Sequence, residues 1–155
     1  MQIQLSHILV PTDFSEASVA AVNYALDLAE RFGARVTLMH VSHEPMILPP
    51  TDEGYVPPMT DLPALEQTAR LHLGQVAEPA KHRGLQVDVA WSHGTPFVEI
   101  VRKARELNAD LIVAGTHGRG AIAHLLLGSV AENLVRHAPC PVLTVREGEH
   151  PFEVP

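Results

Sequence analysis

Gly115, Gly118, Gly128 and Ser129 are spaced as G-x2-G-x9-G-S directly behind the apolar run Asp110-Leu111-Ile112-Val113-Ala114. A buried strand that ends in glycines lets the main chain come close to a ligand. The N–H groups of such a turn form a concave, electropositive cradle suited to phosphate. Ser129 has N-cap character, and Glu132 three residues on completes an S-x-x-E helix start. A helix N-terminus attracts anions as well. A short helical stretch over 121–127 is expected to join the two devices. The bland reading of the same residues is a tight strand-to-helix turn at Gly115 and Gly118, a helix stop at Gly128 and a simple cap at Ser129. The joint spacing favours phosphate.

Elements that could position these residues alternate along the chain. Apolar strands are predicted at 5–10, 36–41, 86–91, 110–115 and 142–145. Between the first two, Ser15 caps an amphipathic helix carrying Val22, Ala25, Leu26, Ala29 and Phe32 on one face and stopping at Gly33. The proline-rich stretch 44–63 has no period and reads as a long loop, a class often used as a functional lid. The next helix carries Leu65, Ala69, Leu73, Val76 and Ala80, with a bend or early end expected from Gly74 and Pro79. Thr95-Pro96 opens a third helix with the stripe Phe97, Ile100, Val101, Ala104 and Leu107, and a fourth spans 129–137. Strands separated by helices imply right-handed crossovers and an α/β fold with helices on both faces of a parallel sheet. Ligands bind such sheets beyond the carboxyl ends of the strands, where strand order reverses. With the first and fourth strands adjacent there, Pro11-Thr12-Asp13 faces Gly115-Thr116-His117-Gly118 across one crevice.

Composition narrows the ligand. The 155 residues are expected to form one domain, 1–155, and the 46% apolar content suits a compact core. Mean hydropathy is +0.07, no apolar run approaches a membrane span, and no basic-then-apolar leader opens the chain. A cytoplasmic protein is expected, with no membrane partner. A net charge of −7 repels nucleic acid but permits one small phosphate ligand. Cys140, the only cysteine, lies between Pro139 and Pro141 and reads as packing or turn chemistry. Ten histidines raise the question of a metal site, yet His40-x2-His43 is the nearest approach to ligand spacing.

The segments Ile8-Leu9-Val10-Pro11-Thr12-Asp13, Asp110 through Gly120, and Pro139-Cys140-Pro141-Val142-Leu143-Thr144-Val145 resemble the universal stress protein family over nearly the whole chain. In that family G-x2-G-x9-G-[ST] marks the ATP-binding members. The resemblance implies an open five-stranded parallel sheet ordered 3-2-1-4-5 and a homodimer joined through the fifth strands. It implies ATP with Mg²⁺ as cofactors. Gly115, Gly118, Gly128 and Ser129 would meet phosphates and ribose, Val41 would meet adenine through its backbone, and Asp13 would lie near the ribose or the metal. Pro11, Thr12, Thr116, His117, Arg119, Gly120 and Val130 complete the expected nucleotide contacts. Asp13 has the alternative of helping the first helix start, and Arg119 and His117 that of solvated loop residues.

The P-loop pattern is absent and no residue is evidently placed to activate water, so no catalytic residue is assigned. The leading reading is a nucleotide-dependent regulatory or stress-response protein. A slow nucleotide hydrolase and a dimeric interaction module with a vestigial site are the alternatives.

Overall fold

The computed structural model describes residues 4–43, 61–117 and 127–148. It contains β1 (His7–Pro11), α1 (Glu16–Phe32), β2 (Arg35–Ser42), α2 (Leu62–His82), β3 (Val87–His93), α3 (Pro96–Glu106), β4 (Leu111–Gly115), α4 (Ser129–His137) and β5 (Val142–Val145). All strand pairs are parallel and the sheet order is β3-β2-β1-β4-β5, the order that the family resemblance implies.

Strand residues point alternately to two cores. Ile8, Val10, Val36, Leu38 and Val113 pack with α1 and α2, whereas Leu9, Met39, Val41, Ile112 and Ala114 pack with α3 and α4. Burial on both faces explains why the strands read as unbroken apolar runs. Ser15 caps α1 by accepting from Ser18 N–H at 3.3 Å, and Gly33 closes it at φ 68°, a left-handed position that suits glycine.

Some helix expectations need correction. Phe32 is 55% exposed, because the apolar stripe of α1 ends over the sheet at Ala29 and Phe32 lies in the helix's last turn. Leu65 is likewise exposed; the buried face of α2 is Ala69, Leu73, Ala77 and Ala80. Pro79 does not end α2, which runs on to His82. Proline removes only the donor to Gln75 carbonyl, and both residues lie on the exposed side, where water can serve that oxygen. The expected loop also ends earlier, since Asp61 caps α2 by accepting from Ala64 N–H at 3.1 Å, and Leu62 and Pro63 are helical. Residues 44–60 lie outside the described residues.

Asp110 is not the first residue of β4. Its Oδ2 accepts from Ser6 and His7 N–H at 2.8 and 2.9 Å, clamping the start of β1. Beside it His7 is 4% exposed, with Nδ1 3.3 Å from Leu107 carbonyl and Nε2 2.8 Å from Thr37 Oγ1. A carbonyl only accepts, so Nδ1 carries the hydrogen and the neutral ring accepts from Thr37 at Nε2. Burial, then the Arg35 charge, lowers the His7 pKa below 6.5, outweighing the Leu107 bond and the carboxylates of Asp88 and Asp110. The unfolded chain therefore takes up a proton near pH 6.5 that the folded chain refuses. The stabilisation is complete above that pH and declines as pH falls through it. Urea midpoints measured across this range should drop on acidification, and His7→Gln should flatten the slope; equal slopes would show that His7 is not the group responsible.

Candidate functional site

β1 is the reversal point, because the chain moves outward from it to β2 and β3 and then crosses back to β4 and β5. A cleft of about 540 Å³ opens there at the carboxyl ends of the strands. Pro11, Thr12, Asp13, Val41, Gly115, Thr116, His117, Gly128, Ser129 and Val130 all line it. Gly118, Arg119 and Gly120, with the stretch expected to be helical up to Leu126, lie outside the described residues.

The strongest electrostatic feature is the start of α4. Its N-cap is Gly128, not Ser129, and no side chain caps the helix. Glu132 N–H makes the first helical bond, to Gly128 carbonyl at 2.9 Å. The amides of Ser129, Val130 and Ala131 consequently have no hydrogen-bond partner among the described residues, and all three residues line the cleft. Glu132 does not complete a capping box. Its carboxylate accepts from Arg136 at 3.0 Å, one turn along the helix and away from the amides. A helix start whose first amides have no partner among the described residues presents partial positive charge to the cleft.

Two of the glycines that line the cleft also have jobs within the fold. Gly128 N–H donates to Thr116 carbonyl at 2.6 Å, so it is not itself a phosphate donor; it ties α4 to the end of β4. Thr116 N–H in turn donates to Val145 carbonyl at 2.9 Å. At Gly115 a Cβ would stand 2.9 Å from Ala17 C and 3.0 Å from Ala17 O. Its bareness admits the first turn of α1, a close backbone approach within the fold.

Opposite α4, the turn after β1 is built from short polar bonds. Asp13 Oδ1 accepts from Ser15 N–H at 3.0 Å and Ser15 Oγ at 2.5 Å, so one oxygen braces the α1 cap while the residue lines the cleft. Buried Thr12 receives Phe14 N–H on Oγ1 at 3.0 Å, and Ser18 donates to Ser15 carbonyl at 2.9 Å. Ser18 thus accepts from the Thr12 hydroxyl, 3.0 Å away. His117 sits 3.1 Å from Thr116 Oγ1. Glu147, beyond β5, has its pKa raised above its ordinary value by its hydrogen bond to Glu16 and the repulsion that comes with it, with His117 pulling it the other way. That pair had no signal in sequence spacing.

His40 and His43 both border the cleft, but no group of three His, Cys, Asp or Glu among the described residues could hold a metal alone. Cys140 packs beside the α3–α4 core, and burial pushes its thiol pKa up, as suits packing rather than reactivity. No helix among the described residues is long and apolar enough to cross a membrane.

Residues 5–146 match the model of the universal stress protein family. A universal stress protein of Methanocaldococcus jannaschii is 34% identical over 140 residues, 90% of this chain and 81% of its own length. The fold is similar to that of the universal stress protein UspA from Lactobacillus plantarum (TM-score 0.70, 27% identity, 94% of this chain and 100% of that one). It is also similar to a universal stress protein solved in complex with cAMP (TM-score 0.67, 27% identity, 94% and 99% covered).

Proposed function

This chain belongs to the universal stress protein family, and we propose that its cleft holds an adenine nucleotide, ATP with Mg²⁺, whose occupancy regulates the protein's surface for a partner. The observation that carries this reading is the start of α4 at the wall of the cleft, where three amides have no partner among the described residues. A phosphate chain supplies the anionic acceptor those amides lack. The cAMP complex of a related fold supports an adenine nucleotide as the ligand class. Asp13 is suited to the cation, since Mg²⁺ is commonly bound by one or two carboxylates plus substrate phosphates and water.

Calorimetric titration tests the assignment. Wild type should bind ATP, and Asp13→Asn should weaken Mg²⁺-ATP by about tenfold, roughly 1.4 kcal/mol, while changing metal-free ATP much less. Absence of heat with any adenine nucleotide would end the nucleotide reading, and equal losses with and without Mg²⁺ would leave Asp13 as only the brace of α1. Backbone amides hold ground-state phosphate as well as a transition state, and such uniform binding leaves the chemical barrier in place. Phosphate release with Mg²⁺-ATP is therefore expected well below about 1 per second, and faster turnover would make the protein an enzyme.

The sheet edge supports a second copy of the chain as a partner. Ile112 N–H donates to Pro141 carbonyl and Thr116 N–H to Val145 carbonyl, so alternation turns the Val142 and Thr144 amides outward. An open apolar edge invites pairing with its two-fold copy. Light scattering should give twice the 16.8 kDa chain mass, and Thr144→Pro, which spares the β4 ladder, should give one chain; a wild-type monomer at every concentration would remove the dimer.

A further inference from the structure

The chain leaves β1 through a turn whose backbone does not suit the residue that occupies it. Phe14 sits at φ 65°, in the left-handed region, where a residue with a Cβ is crowded by its own main chain. Every other positive-φ position among the described residues carries glycine or asparagine: Gly33, Gly84, Gly94, Gly148 and Asn108. A glycine would reach the Phe14 conformation without that crowding. What phenylalanine adds is its ring. The ring packs against the α1–α2 core, its centroid 4.8 Å from that of His40 and 5.3 Å from that of His72, the latter edge-on at 78°. Both distances are those of favourable aromatic pairs.

Local hydrogen bonds shape this turn without placing it. Phe14 N–H to Thr12 Oγ1, Ser15 N–H to Asp13 Oδ1 and the Thr12–Ser18 hydroxyl pair all join residues 12–18, and they move with the turn as one body. Placement comes from other elements. Thr12 N–H donates to Met39 carbonyl at 2.8 Å, and His40 Nδ1 lies 2.8 Å from Thr12 carbonyl, so Nδ1 carries the hydrogen. The Phe14 ring adds His72, an exposed residue of α2, to these ties. Since His40 borders the cleft, the three rings form a chain of contacts from the cleft wall to the surface of α2.

We propose that Phe14 is a positioning residue for Asp13: held between His40 and His72, its ring keeps the turn left-handed and so fixes the Asp13 carboxylate at the cleft wall before a cation arrives. The cation role rests on the nucleotide reading above, whereas the hold on the turn stands without it. Rotation about the Phe14 backbone turns Asp13 relative to α1, so a fixed φ means a fixed carboxylate. A group already ordered in the free protein loses no further freedom on binding, which strengthens the complex.

Phe14→Gly separates ring from backbone, because glycine keeps the left-handed conformation accessible and removes the ring. In calorimetric titrations this variant should bind Mg²⁺-ATP about tenfold more weakly than wild type, with metal-free ATP changed by less than about twofold. His72 does not line the cleft. Even so, His72→Ala should weaken Mg²⁺-ATP by about threefold in wild type and have no effect in the Phe14→Gly background, the non-additivity of residues that act through one contact. In the free protein the Ser15 amide, bonded to Asp13 Oδ1, should exchange faster after His72→Ala, with Leu73 protection unchanged as the sign of an intact α2. A Phe14→Gly variant that binds Mg²⁺-ATP as tightly as wild type, or a His72→Ala effect of equal size in both backgrounds, would overturn the inference with nucleotide binding intact. If Phe14→Gly fails to fold, the Ser15 amide decides: unchanged exchange after His72→Ala overturns the inference, and faster exchange upholds it. A wild type that binds no nucleotide, but whose Ser15 amide responds to His72→Ala, would overturn the nucleotide reading and the cation role of Asp13 while upholding the ring's hold on the turn.

Discussion

Gly115→Ala is expected to destabilise the protein by about 1–3 kcal/mol even with no ligand present, the usual range for forcing a methyl group into a packed site. The obstruction is backbone on every side: Ala17 C at 2.9 Å, Ala17 O at 3.0 Å and Ser18 N at 3.1 Å. No side chain can swing away, so the first turn of α1 must move off β4. Ala17 and Ser18 are both 4% exposed, and Ser18 holds the Thr12 hydroxyl and the Ser15 cap. A shift there should loosen the Asp13 turn as well, so nucleotide affinity falls together with stability. For a chain of this length the melting temperature should drop by several degrees, at about 2–4 °C per kcal/mol. A variant that melts with wild type and binds less tightly would return Gly115 to a purely ligand-facing role.

That expectation differs in kind from the one the sequence supports, and the difference shows what spacing encodes. G-x2-G-x9-G-S states that bare backbone is needed at fixed intervals behind a strand. It does not state what approaches the backbone. At Gly115 the visitor is α1, a contact between residues far apart in the chain that local spacing cannot report. The sheet order, by contrast, was legible, because alternating strand and helix periods together with the family resemblance leave little freedom. Burial was legible where an apolar stripe ran through the middle of a helix, as at Val22, Ala25, Leu26 and Ala29. It failed at helix ends, where Phe32 and Leu65 continue the period but overhang the sheet.

Within the site, sequence reading located the crevice between the ends of β1 and β4, yet misassigned hydrogen bonds by a residue or two. Ser129 and Glu132 fit a capping box in one dimension. In three dimensions Arg136 draws Glu132 down the helix, and Thr116 carbonyl fixes Gly128 as the cap. In the sequence His40 stands out only through its spacing from His43. Its bond to Thr12 carbonyl crosses from β2 to β1, and nothing in the neighbouring residues signals it.

The start of α4 gives the sharpest separation of folding from binding. Gly128 sits at φ −71° and ψ 160°, extended backbone that any L residue adopts, so a side chain there carries no conformational strain. Aspartate at an N-cap turns its carboxylate onto the amides two and three residues ahead, which here belong to Val130 and Ala131. It would also place negative charge at the positive end of the helix. Gly128→Asp is therefore expected to stabilise the fold, by a few tenths to about 1 kcal/mol. The same carboxylate would occupy the anion position and repel a phosphate, so ATP affinity should fall at least about tenfold, roughly 1.4 kcal/mol. Opposite signs for melting temperature and affinity are hard to obtain from general damage to the protein, which lowers both. Thermal melts without nucleotide, paired with calorimetric titration of ATP, measure the two effects on one preparation. A Gly128→Asp variant that melts at or above wild type and still binds ATP with wild-type affinity would mean that the first three amides of α4 do not hold the phosphates.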